Sequence, residues 1–140
     1  YFIEPGTPFT RIMTILRDYS KGENLPKGWV PNSTWFWVAE GMIKGVINLR
    51  HRLTPALEAF GGHIGYTVAP SHRRQGISTA MLGAVLQHCA NRGIKRVLVT
   101  CDENNIGSLK TIEANGGILD RQERDEAKQR VSNFYWIDLT

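Results

Sequence analysis

The sequence is poor in the residues that staple a chain, span a bilayer or ligate a metal. It has two cysteines, Cys89 and Cys101, and they match no zinc-type spacing, so no metal is expected. Two reduced thiols packed among apolar neighbours are the expectation for such a pair. No apolar run approaches the ~20 residues that a membrane-spanning helix needs, so no membrane partner is expected. No signal-type leader opens the chain, which makes a cytoplasmic location the default. Charge of one sign is scarce too. Lys and Arg outnumber Asp and Glu by 17 to 13, and a net charge of +4 is too mild and scattered for a nucleic-acid binder. Neither G-x-x-x-x-G-K-[ST] nor G-x-G-x-x-G opening a helix is present, which argues against a nucleotide-binding domain of either common type.

What is present fits one domain over residues 1–140, long enough to bury a core without staples. The chain opens at Tyr1 rather than at a methionine, and an absent N-terminal piece is the expectation. Ile12, Ile15, Leu16 and Tyr19 predict an amphipathic helix over Phe9 to Tyr19. Lys21 to Ser33 is rich in Gly, Pro and Asn, and reads as a loop. Trp35 to Glu40 and Ile43 to Arg50 read as a β-hairpin around Gly41. Pro55 to Gly62 is a connector with one helical turn. His63 to Ala69 is the next strand, in which Gly65 marks a bulge or a close backbone approach.

Apolar residues from Ile77 to His88 form one stripe, predicting a helix from Gly76 to Arg92 with Gly93 as its stop. Lys95 to Cys101 is a short buried strand. Asn105 caps a helix through Ile106, Leu109 and Ile112 that ends at Gly116-Gly117. Ile118 to Asp120 and Val131 to Leu139 close the chain as strands around a charged tip, Arg121 to Arg130. The order α-β-β-β-α-β-α-β-β predicts an α/β sandwich with a mostly antiparallel sheet. The exposed final strands offer an edge on which a homodimer would form.

One segment carries chemistry. The strand ending at Val68 passes within eight residues into the longest predicted helix, through Ala69-Pro70-Ser71-His72-Arg73-Arg74-Gln75-Gly76. A helix N-terminus presents unpaired N–H groups and the positive end of the macrodipole, so anions bind there. Gly76 lets a bulky phosphate come close, and Arg73 and Arg74 add charge-assisted hydrogen bonds suited to phosphate oxygens. A basic surface turn before an ordinary helix has the same composition. Its place between a strand and a strong helix favours the pyrophosphate site.

Arg73-Arg74-Gln75-Gly76-Ile77-Ser78 resembles the Q/R-x-x-G-x-G/A signature of the GNAT N-acetyltransferases, with Ser78 in place of the usual Gly or Ala. Cys101-Asp102-Glu103-Asn104-Asn105 followed by Ser108 is similar to the family's strand and N-x-x-A/S helix start. The likeness covers about residues 35 to 139 and implies helices on both faces of the sheet. The family's first strand, ahead of the helix at Phe9, has no counterpart. The resemblance implies acetyl-CoA as co-substrate, an amine acceptor, and direct attack in a ternary complex. It places Tyr66, Val68, Arg73, Arg74, Gln75, Gly76, Ile77, Ser78, Asn105 and Ser108 on the cofactor. It also implies that the Val68 N–H polarises the thioester carbonyl.

Many members carry a proton-donating tyrosine seven residues after the helix-start asparagine. Here that position is Ile112. Tyr66, Ser108 and Cys101 are the available replacements, or water. His63, Glu40, Asp102 and Glu103 are candidate bases, and His63 is equally a strand histidine with a structural partner. His72 supports the turn or faces solvent, and Trp35, Phe36 and Trp37 belong to a core hairpin or line an acceptor pocket. The leading expectation is an N-acetyltransferase for a small-molecule or peptide amine. A non-catalytic acyl-CoA-sensing module is the alternative that Ile112 raises.

Overall fold

The computed structural model describes residues 5–139. In chain order the elements are α1 (Phe9–Ser20), β1 (Asn32–Ala39), β2 (Met42–Arg50), α2 (Pro55–Ala59), β3 (Ile64–Val68), a 3₁₀ turn (Pro70–His72), α3 (Ile77–Asn91), β4 (Arg96–Asp102), α4 (Ile106–Ala114), β5 (Ile118–Asp125) and β6 (Arg130–Asp138). Six strands form one sheet in the order β1-β2-β3-β4-β6-β5. Every neighbouring pair is antiparallel except β3 and β4.

Two adjacent residues of β1 show how the layers form. Strand side chains alternate between faces. Trp35 pairs with Ile47 and packs on His88 of α3, ring centroids 4.7 Å apart. Phe36 pairs with Val46 and meets Phe9 of α1 at 6.1 Å. Helices therefore cover both faces, with α1 on one and α3 on the other. Ser78 and Thr111 join α3 to α4 on the same side. Beneath α3 and α4 lies the main core, where Ile47, Leu49, Leu82, Val85, Val97, Val99, Ile112 and Ile137 are all buried.

The expected elements are all present, with shifted ends. β1 starts three residues early, at Asn32. β5 runs on to Asp125, taking in Arg121 to Asp125, which the sequence assigns to a charged tip. It lies at the sheet edge and is largely exposed, so both of its faces tolerate charge. Residues 5–8 make a turn and no strand, and residues 1–4, where a first strand would fall, lie outside the described residues. Gly65 sits in an unbroken β2–β3 register rather than in a bulge. It is a close-approach glycine: a Cβ there would lie 3.4 Å from both Nη atoms of Arg50.

Candidate active site

β3 and β4 pair parallel at one point, Ile64 with Val99, and then diverge. The join is made just before the strand. The His63 N–H donates to the Leu98 carbonyl at 2.8 Å, and His63 Nδ1 accepts from the Leu98 N–H at 2.9 Å. On its other edge β3 stays bonded to β2, for Ala69 donates to Lys44 and Arg50 donates to His63. An antiparallel ladder alternates its bonds. With the His63 carbonyl and the Ala69 N–H turned to β2, the alternation sends the N–H groups of Tyr66 and Val68 the other way, to the side from which β4 has withdrawn.

A cleft of about 780 Å³ opens there, walled by β3, the turn after it and the first turns of α3 and α4. Arg73, Arg74, His72 and Lys110 line it, and among the described residues no carboxylate does. The turn has the backbone of an anion cradle. Arg74 (φ +63°) and Gly76 (φ +79°) both adopt left-handed conformations, and Gly76 is the N-cap residue of α3. A Cβ at Gly76 would meet nothing within 4 Å, so the glycine is required by its φ and not by crowding. No side chain caps α3, which leaves its first N–H groups directed at the cleft. Arg73 Nε donates to the Val68 carbonyl at 3.3 Å and ties the turn to the strand.

Most of the expected cofactor residues meet at this cleft. Tyr66, Val68, Arg73, Arg74, Gly76, Ile77, Ser78, Asn105 and Ser108 all line it. Gln75 does not, and it is exposed on the turn. The Ile77 side chain is buried in the core, so its backbone is what the cleft meets. Ser78 has a use that glycine or alanine would not serve: its Oγ lies 2.8 Å from the buried Thr111 Oγ1. Asn105 Oδ1 accepts from the Ser108 N–H at 3.1 Å, the helix cap that its position predicts. Lys110 was not anticipated. One turn beyond Ile106 on α4, it brings a cation that no local motif marks.

Tyr66 reaches from β3 to α4, with its hydroxyl 2.6 Å from Ser108 Oγ. Burial pushes this phenol up to about 12; the Ser108 hydrogen bond opposes the rise and Cys101 adds to it. Burial likewise pushes the Cys101 thiol up to about 11, against its Ser108 hydrogen bond, so it carries little thiolate at neutral pH. Ile112 is fully buried in the core. His63 is buried with Nδ1 committed to Leu98, and burial, aided by Arg50, lowers it to about 4. It lines neither this cleft nor the next, and neither do Glu40, Asp102 or Glu103. Glu40 pairs with Lys44 at the hairpin end, and Asp102 Oδ1 accepts from the Asn104 N–H. Trp35 and Phe36 pack on helices as a core hairpin would, and Trp37 lines neither cleft.

A second cleft of about 820 Å³ lies on the opposite side of β3. It is walled by the loop before β1, by α2, and by Asn48 and Arg50 of β2. The two clefts share Tyr66 and Thr67. An acyl donor in one and an acceptor in the other would meet at β3.

The profile of the family described as Acetyltransferase (GNAT) family matches residues 10–116. The chain belongs to the GNAT acetyltransferases, and is an acyltransferase by that membership. Solved structures share the fold at low identity. yncA from Salmonella typhimurium, solved with its cofactor acetyl-CoA, aligns at TM-score 0.70 and 12% identity, covering 94% of this chain and 73% of its own. The ribosomal-protein-S5-alanine acetyltransferase from Vibrio fischeri aligns at TM-score 0.71 and 12% identity, covering 92% and 69%. A mutant of the spermidine N-acetyltransferase SpeG from Vibrio cholerae aligns at TM-score 0.67 and 12% identity, covering 99% and 80%. No curated protein matches the sequence. Among the described residues no helix is long and apolar enough to cross a membrane, and no cluster of three His, Cys, Asp or Glu residues is placed to hold a metal ion.

Proposed function

We propose that this chain transfers the acetyl group of acetyl-CoA to an amine by direct attack in a ternary complex. The observation that carries the reading is the divergence of β3 from β4 between two clefts that meet at Tyr66 and Thr67. In this reading the pyrophosphate lies against the turn from Arg73 to Ser78, where helix dipole, backbone N–H groups and arginines converge. The pantetheine arm bonds the backbone that β4 leaves unpaired. The thioester carbonyl accepts from the Val68 N–H.

The amine lone pair forms the C–N bond at the thioester carbon, and the carbonyl electrons move onto oxygen, held by Val68. Collapse breaks the C–S bond and returns the electron pair to sulfur. Tyr66, with Ser108 behind it, donates a hydrogen bond to that thiolate. A phenol held near 12 stays protonated, so it stabilises the sulfur and the proton itself comes through water. Proximity contributes most, roughly 7–11 kcal/mol in well-oriented reactions. No carboxylate or imidazole among the described residues lines the acceptor cleft. The acceptor ammonium therefore loses its proton to water before it attacks.

The test is incubation with acetyl-CoA and a pooled amine panel while free CoA thiol is followed. Thiol release that depends on an amine is expected. A thermal shift with acetyl-CoA, without thiol release for any amine, would favour the acyl-CoA-sensing module that Ile112 suggests.

A further inference from the structure

We propose that β5 is a self-complementary edge on which a second copy of this chain docks, antiparallel, about a two-fold axis through Gln122. The edge lies beyond β6, away from the cleft between β3 and α4, and its pairing does not depend on the reaction proposed there.

β5 ends the sheet. Among the described residues its one strand partner is β6, so the N–H and C=O groups on its outer side have no ladder. The strand is largely exposed. Edge charges ordinarily keep such strands from pairing. Here their order does the reverse in one register. Asp120-Arg121-Gln122-Glu123-Arg124 runs acid, base, amide, acid, base. In an antiparallel pair centred on Gln122, Arg121 stands opposite Glu123 of the second copy and Asp120 opposite its Arg124. The two-fold axis repeats both pairs, and along the strand no like charges meet.

A slip of one residue destroys this match. Centred between Arg121 and Gln122, the pair sets Asp120 against Glu123. Centred between Gln122 and Glu123, it sets Arg121 against Arg124 and Asp120 against Asp125. Like charges directly opposite destabilise a ladder, so one register is selected over its neighbours.

Within the chain these charges already have partners. Arg121 lies 4.2 Å from the centroid of the Phe134 ring, Nη2 donates to the Glu58 carbonyl, and it pairs with Asp120 at 3.1 Å and Glu123 at 3.4 Å. Arg124 pairs with Glu126 at 2.9 Å. Exposed pairs of this kind are weak, and each carboxylate keeps acceptor sites for a second cation. The bulge between Leu119 and Arg121 interrupts the β6 ladder at Asp120. The paired segment is therefore short, and the central Arg121–Glu123 pairs carry the register. Association is weak, reversible and sensitive to salt.

Sedimentation velocity over a range of concentrations tests this. A monomer–dimer equilibrium that weakens with added salt is expected. Glu123→Arg and Arg121→Glu each set like charges across the axis and should weaken association by about tenfold or more. An equal mixture of the two should restore a dimer, because the arginines of one variant then face the glutamates of the other. Loss of folding cannot produce that rescue. Gln122→Cys gives a second readout with the charges left in place. Opposite residues of an antiparallel pair lie about 4.5–5.5 Å apart, within disulfide reach. Under mild oxidation Gln122→Cys should be trapped as a covalent dimer, and Arg124→Cys, away from the axis, should not. If a charge variant does not fold, the comparison of the two cysteine variants decides alone. A chain that stays monomeric at every concentration overturns the proposal. So does a dimer that survives both charge reversals, or Gln122→Cys that cross-links no faster than Arg124→Cys.

Discussion

The Tyr66 hydroxyl lies 2.6 Å from Ser108 Oγ, joining β3 to the first turn of α4 across the mouth of the divergent strands. Ser108 and Ile112 are one helical turn apart on α4, so they share a face. The family's usual phenol would come from the helix at position 112. Here Ile112 is part of the core, and a phenol arrives instead from the strand. In the proposed reaction these two hydroxyls meet the leaving thiolate.

Replacing Tyr66 by Phe should therefore lower kcat by about tenfold, some 1.4 kcal/mol, and leave the KM for acetyl-CoA nearly unchanged. The effect falls below that of a lost oxyanion donor, because a thiolate needs less stabilisation than an alkoxide. Steady-state kinetics at saturating acceptor measures it. A kcat equal to that of the unaltered protein would remove Tyr66 from the reaction.

At the turn, charge and strain can be separated. Gly76→Asn and Gly76→Asp impose similar side chains on the same left-handed residue, but only aspartate repels a pyrophosphate. Combined with Arg74→Ala, the aspartate should weaken acetyl-CoA binding by roughly 10- to 100-fold more than asparagine does, as read by calorimetry. Equal affinities for the two double variants would place the pyrophosphate elsewhere.

Ser78 departs from the family signature, and its partner explains why. Ser78→Ala removes the 2.8 Å contact with Thr111 that ties α3 to α4. A loss of about 1 kcal/mol in denaturant stability is expected, with acetyl-CoA affinity retained because the backbone N–H remains. A large loss of affinity would instead mean that the hydroxyl itself touches the ligand.

His63 predicts a pH dependence of folding. Its folded value of about 4 lies below the ordinary 6.5, so between these values the unfolded chain holds the extra proton. This stability is complete above pH 6.5 and is lost as pH falls toward 4, by roughly 3 kcal/mol in all. His63→Asn, which keeps an acceptor near Leu98, should show a flatter stability curve across that window by denaturant titration. Parallel curves would contradict the burial account of His63.

Local signals made part of this site readable from the sequence. The strand, the arginine turn, Gly76 and the cap residue Asn105 are adjacent in the chain, and each follows from backbone needs that leave a mark on residue type. Tyr66 and Ser108 are 42 residues apart and meet only through the sheet order, which no short motif records. Nearness to Gly65 in the chain makes His63 a candidate base, and only the sheet register reveals that its ring turns to the Leu98 backbone at the strand junction. The second cleft depends on Trp29 and Thr54 from irregular or short segments and on Asn32 at the very start of β1, where periodicity is silent. β5 extends beyond its sequence signal because an exposed edge strand lacks the alternation that marks a half-buried one.

The most direct test of the central claim is a crystal structure with acetyl-CoA bound. Density should place the pyrophosphate on the N–H groups between Arg74 and Ser78, with the thioester carbonyl at the Val68 N–H and the sulfur beside Tyr66. A CoA bound outside the cleft between β3 and α4, or with its thioester away from Val68, would contradict the account.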